Sequence, residues 1–128
     1  MTIELNHTIV PAHDKHASAR FLSRIFGIPY EPSGGYFAPV RVNDRFTLDF
    51  DDDYEASEQF GVHHYAFHVS DEEFDQIFGR VQQAGLAYGS EPGNPDNGKL
   101  NNWNGGRRIY FRDLSGHLLE LLTRVYAV

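Results

Sequence analysis

The chain contains no cysteine among its 128 residues. That excludes disulfides and zinc–thiolate sites, so any bound metal must take nitrogen and oxygen donors. It leaves the redox compartment open, with a cytoplasmic protein the default expectation. No apolar run approaches the length needed to cross a bilayer, and no basic-then-apolar leader follows Met1, so no membrane association is expected. Positive charge is scarce: 11 Lys and Arg stand against 18 Asp and Glu, a formal net charge of -7. Phosphate backbones need clustered cations, and the pair Arg107-Arg108 is too short to form a patch, so nucleic acid is not an expected partner. The acidic run from Asp51 to Glu55 lacks the glycine and terminal glutamate of a calcium loop and reads as a solvated loop. What remains is a chain 41% hydrophobic and 23% charged, enough for one compact domain with a real core.

The most informative stretch is Gly61-Val62-His63-His64-Tyr65-Ala66-Phe67-His68-Val69. Its period-two alternation predicts a half-buried strand, with His64, Ala66 and His68 on one face and His63, Tyr65 and Phe67 on the other. A single strand histidine is ordinarily a packed core or surface residue, so a functional reading depends on partners elsewhere in the chain.

Taken in order, residues 3–10 predict a strand ended by Pro11, with Leu5, His7 and Ile9 on one side. Asp14 can cap a helix running to about Phe26, with Ala17, Phe21 and Ile25 on its buried face and Gly27 as its stop. Strands over 36–42 and 45–50 follow, joined by an Asn43-Asp44 hairpin turn. Thr47 and Asp49 share one face of the second strand. After the central strand, Ser70 to Glu73 forms a capping box, opening a helix with Phe74, Ile77, Phe78 and Val81 on one face and Gly85 at its end. A short strand is expected near 86–89, then a long Gly-, Pro- and Asn-rich loop over 90–106. A final hairpin runs through 107–112 and 117–123.

The same order occurs twice. His64 lies 57 residues after His7, and Gly85 lies 58 after Gly27. Carboxylates recur in the last strand of each half, in Leu48-Asp49-Phe50 and Leu119-Glu120-Leu121. Asp49 follows its helix-ending glycine by 22 residues and Glu120 follows its own by 35, the 13-residue excess being absorbed by the 90–106 loop. The expected fold class is therefore α+β: two βαβββ repeats, about 1–55 and about 61–125, forming an incomplete barrel within a single domain. Such a cup can bring His7, His64, Asp49 and Glu120 together, a nitrogen and oxygen donor set suited to a divalent metal with open positions for substrate. His68, Trp103 and Tyr110 are candidate pocket-lining, substrate-binding residues, and the 90–106 loop is a candidate lid. His63 should face a helix or a partner subunit; His13, His16 and His117 read as surface residues. The open strand edges of such a cup predict a homodimer.

His7 in the first strand, His-x-Ala-Phe-x-Val at His64 to Val69, and Tyr110-Phe111-Arg112-Asp113-x-x-Gly116 leading to Leu119-Glu120-Leu121 together resemble the vicinal oxygen chelate superfamily. That group includes glyoxalase I, fosfomycin-resistance enzymes, bleomycin-resistance proteins, methylmalonyl-CoA epimerase and extradiol dioxygenases. The resemblance covers nearly the whole chain as a single-module member. It implies metal ligands at His7, His64 and Glu120, and a fourth position at Asp49, where the family usually has Glu. It departs again at Leu114, where the family favours proline. It implies a divalent metal (Zn, Ni, Mn, Co or Fe), a small substrate bound through adjacent oxygens, and oxyanion stabilisation in isomerase, lyase or addition chemistry. Glu120 or Asp49 would move the proton. The alternatives are an Fe(II) extradiol-type dioxygenase and a non-catalytic, bleomycin-resistance-like binding protein.

Overall fold

The computed structural model describes residues 2–32, 34–53 and 60–125. The chain divides into two compact units, Met1–Gly61 and Val62–Val128. In the first, β1 (His7–Pro11) leads into α1 (Lys15–Phe26), then β2 (Ala38–Arg41) and β3 (Thr47–Asp51), with sheet order β1-β3-β2. In the second, β4 (His64–His68) leads into α2 (Asp71–Gln83), then β5 (Tyr88–Gly89), β6 (Arg108–Arg112) and β7 (Leu118–Leu122), with sheet order β4-β7-β6-β5. The fold is α+β, two small sheets each with one helix, and among the described residues neither sheet closes into a barrel.

The helix ends are set by local chemistry. The Asp14 carboxylate accepts from the Ala17 N–H at 3.0 Å, and Gly27 closes α1 at φ 69, a left-handed conformation that costs glycine little. Ser70 and Glu73 form the reciprocal capping box of α2 at 3.1 and 2.8 Å. Each helix buries one stripe: Phe21, Leu22, Ile25 and Phe26 in α1, and Phe74, Ile77 and Val81 in α2. Burial of these side chains stabilises each unit by roughly 1.5–3 kcal/mol apiece.

Strand pairing repeats with the same register. β1 runs parallel to β3 with Ile9 opposite Asp49, and β4 runs parallel to β7 with Ala66 opposite Glu120. On the antiparallel side Pro39 opposes Asp49 and Tyr110 opposes Glu120. Cross-strand partners share a face, so His7, Ile9, Thr47 and Asp49 lie on one face of the first sheet. His64, Ala66, Leu118 and Glu120 lie on the equivalent face of the second.

Four details depart from the sequence expectations. The first strand begins at His7, and Leu5 is exposed. The strand that follows the helix in the first repeat, equivalent to β5 in the second, is reduced to a single bridge, Tyr30 to Val40, beside Pro29, which has no N–H to donate. Residues 43–44 do not form a two-residue turn. The Asn43 side chain accepts from the N–H groups of Arg45 and Phe46 at 2.8 and 2.9 Å, and Val42 N–H closes a longer loop on the Phe46 carbonyl. Finally, the acidic run is solvated only in part: Asp51 ends β3, and Asp53 is exposed. Asp51 is buried, and the Asp52 carboxylate accepts from the Lys15 N–H at the start of α1. The Asp53 carboxylate accepts from the Tyr36 hydroxyl, and Tyr54 and Glu55 lie outside the described residues.

Candidate functional site

The sequence-predicted residues fall into both units. In the second, alternation along β4 turns His64, Ala66 and His68 to one face, while Tyr65 and Phe67 are half-buried on the other. His64 Nε2 lies 2.8 Å from Glu120 Oε1. The other Glu120 oxygen, Oε2, accepts from Arg108 Nη1 at 3.2 Å. The Arg108 and Glu120 side chains are 2% and 8% exposed, whereas His64 is 43% exposed. One carboxylate is thus gripped from the protein side by a buried guanidinium and offered on its open side to an accessible imidazole. Tyr110, buried and directly opposite Glu120, turns its ring edge-on to His64 at 6.1 Å.

Trp103 stands one contact further out, its ring 5.6 Å from the Arg108 guanidinium. It opens a 3-10 turn, Trp103–Gly105, inside the long loop. That loop is tied down: Asn97 and Asn101 bond Ser90, and a Cβ at Gly89 would sit 2.1 Å from the Asn94 carbonyl oxygen. His68 is exposed and faces the Thr123 carbonyl at 3.3 Å. In the first unit His7 is exposed, with Nδ1 2.8 Å from the Asn6 side-chain oxygen, which leaves Nε2 as the ring nitrogen not engaged in that contact. Asp49 is half-buried. A groove of ≈ 350 Å³ lined by Pro29, Glu31, Pro39, Arg41 and Thr47 opens on the same sheet face as His7 and Asp49.

His117 corrects an expectation. It is fully buried, its Nδ1 accepts from the His63 N–H at 2.9 Å, and its ring lies 4.8 Å from that of His63. His63 in turn contacts the Tyr65 hydroxyl, on the face away from His64. Burial lowers the His63 pKa from its ordinary value. His13 and His16 are exposed, as their setting suggested. Arg108 was missed as a site residue. The available signal was its position two residues before Tyr110 on one alternating strand, which puts both side chains on the Glu120 face.

The donors of the second unit fit a divalent cation. In the chain as it stands, one proton between His64 and Glu120 holds the two together, and an ion can take its place. Donors about 2.1 Å from an ion and at right angles to each other are about 3 Å apart, close to the observed separation. Imidazole and carboxylate suit Zn, Mn, Fe, Co and Ni. Among the described residues no group of three or more His, Asp or Glu side chains is gathered to hold an ion. The pair His64–Glu120 is the part of the donor set the second unit builds by itself.

Residues 4–121 match the Glyoxalase/Bleomycin resistance protein/Dioxygenase superfamily. The chain belongs to that family. Among solved structures it is similar to Oxidase ChaP-H2, with 49% identity, TM-score 0.90, and coverage of 99% of this chain and 98% of the other. It is likewise similar to Oxidase ChaP-H1, with 44% identity, TM-score 0.90, and coverage of 99% and 100%. Among curated relatives it is 27% identical over 124 residues to a glutathione transferase FosA of Serratia marcescens, covering 94% of this chain and 81% of that one. Membership of that superfamily agrees with the α+β fold of two small sheets and two helices. No described helix is long and apolar enough to cross a membrane.

Proposed function

We propose that the chain is a divalent-metal-dependent oxidase acting on a small substrate that presents two adjacent oxygens, with His7, His64 and Glu120 as the metal ligands. The observation that carries the reading is the His64–Glu120 pair at 2.8 Å, one partner buried and the other open to solvent. Likeness to two proteins named as oxidases, across almost the full length of each, favours oxidation over the isomerase or lyase chemistry first expected from Asp49. When bound, Fe(II) would supply Lewis-acid activation of the chelating oxygens and one-electron chemistry with dioxygen.

The protein's own groups do the rest. Glu120 and His64 shed their shared proton and present one oxygen and one nitrogen. The contact with Asn6 holds the His7 ring for ligation through Nε2. Tyr110, packed edge-on against His64, limits the ring's rotation and walls the site against water on that side. Asp49, a carboxylate at the register position equivalent to Glu120, serves as proton acceptor for the substrate hydroxyl. Within the first unit the groove at Pro39, Arg41 and Thr47 is a surface that can take substrate, and within the second the exposed Trp103 ring is another, with Tyr110 buried behind the His64–Glu120 pair. Strands β1 and β4 are edges of their own sheets, which supports assembly as a homodimer.

The test is oxygen uptake by protein reconstituted anaerobically with Fe(II) and presented with catechols. Consumption of dioxygen in step with substrate, lost in His64→Ala, is the expected result. The FosA relative, named as a glutathione transferase, supports one competing reading, transfer of a thiol to a small electrophile. Turnover of a thiol–epoxide mixture without oxygen consumption would establish that reading instead.

A further inference from the structure

Arg108 is the most buried cation of the second unit, 1% exposed, yet it stands on the same strand face as Tyr110 and Glu120. A buried guanidinium is costly and is ordinarily kept where a carboxylate needs it. Its Nη1 donates to Glu120 Oε2 at 3.2 Å, its Nη2 donates to the Arg124 carbonyl at 3.3 Å, and Trp103 covers its face at 5.6 Å. The Arg124 side chain and the Thr123 hydroxyl pack within 2.6–2.9 Å of where a Cβ on Gly106 would lie, so the segment that supplies this carbonyl lies close against the loop at Gly106. The guanidinium is therefore fixed on three sides, and what it fixes is one oxygen of Glu120.

We infer that Arg108 is the positioning residue of the metal centre: it occupies Glu120 Oε2, restricts Glu120 to single-oxygen ligation through Oε1, and by its charge favours the reduced over the oxidised metal. The inference rests on the ligand reading proposed above. Two physical effects support it. A carboxylate with one oxygen hydrogen-bonded to a cation is a weaker donor, and a fixed positive charge a few ångströms from an ion disfavours adding another positive charge to it. An iron centre that must stay Fe(II) between turnovers benefits from both. The loop residue Trp103 joins this arrangement by shielding the guanidinium from water, which preserves its influence.

The experiment is a redox titration of iron-reconstituted wild type, Arg108→Gln and Arg108→Lys, with iron content measured by elemental analysis and folding by circular dichroism. Gln can keep the hydrogen bond while dropping the charge, and Lys keeps the charge. At a fixed poised potential the Fe(III) to Fe(II) ratio should rise about tenfold or more in Arg108→Gln and stay near the wild-type value in Arg108→Lys. If Arg108→Gln does not fold, Arg108→Met, which leaves the ligand Glu120 intact, gives the same charge comparison. Folded, iron-loaded Arg108→Gln with the wild-type ratio would overturn the role of Arg108 and leave the ligands standing. Wild type that retains no iron would overturn the ligand reading and this inference together.

Discussion

Replacing Glu120 with Gln should destabilise the metal-free protein far more than a surface charge change would. The substitution keeps the shape and one hydrogen-bond acceptor but removes the counter-charge of Arg108. Both side chains are almost fully buried, at 2% and 8% exposure, so water cannot take over the role of the carboxylate. Removing one partner of a buried ion pair costs roughly 3–5 kcal/mol, because the other charge is left uncompensated. For a chain of this size each kcal/mol lowers Tm by roughly 3–5 °C, so the midpoint should fall by about 10–20 °C. Urea and thermal unfolding in the presence of a chelator measure this directly. The double variant Glu120→Gln with Arg108→Met removes both charges and should recover most of the loss, a coupling of at least about 2 kcal/mol in the cycle. A Glu120→Gln variant within about 1 kcal/mol of wild type, or a double variant no better than the single, would refute the reasoning.

Gly89→Ala places a methyl 2.1 Å from the Asn94 carbonyl oxygen and 2.6–2.7 Å from Pro95 backbone atoms, and it should cost about 1–3 kcal/mol in urea unfolding. Ser70→Ala removes the cap of α2, which should cost about 1 kcal/mol, visible as a lowered midpoint with an unchanged slope. Burial raises the Asp113 pKa above its ordinary 3.8. A folded-state pKa above the unfolded value means that the folded chain holds this proton more tightly. Its contribution to stability is therefore full below 3.8 and lost as the pH rises through the folded pKa. Stability of wild type relative to Asp113→Asn should improve as the pH is lowered from neutrality toward that range, and a pH-independent difference in urea midpoints would contradict this. Trp103 is the sole tryptophan and lies on Arg108, so filling the site should change its fluorescence, a change lost in Glu120→Ala.

Features written in neighbouring residues were legible in the sequence. The Asp14 and Ser70 caps and the glycine stop at Gly27 are local hydrogen-bonding and backbone rules, and they sit where the sequence puts them. The repeat was legible because duplicated spacing survives in the pairing: Ile9 to Asp49 and Ala66 to Glu120 are the same register. The His64–Glu120 pair followed from that register. What depended on distant packing was not legible. His117 reads as a surface residue, yet it is buried and the His63 N–H donates to it from 54 residues away. Arg108 reads as half of a short basic pair, and its partner Glu120 is named only once β6 and β7 are aligned. The shrinkage to one bridge of the strand that follows α1 places Pro29, which has no N–H to donate, beside Tyr30, and the Asn43 side chain separately closes the loop after β2 on Arg45 and Phe46, details that periodicity does not express.

The central claim is that a metal ion is held by histidine and glutamate side chains from the duplicated strands. Elemental analysis of wild type, His7→Ala, His64→Ala and Glu120→Ala, each reconstituted with Fe(II) and freed of loose metal, tests it most directly. The account predicts about one ion per chain in wild type and near-complete loss in each variant. Full metal content in folded His64→Ala would contradict it.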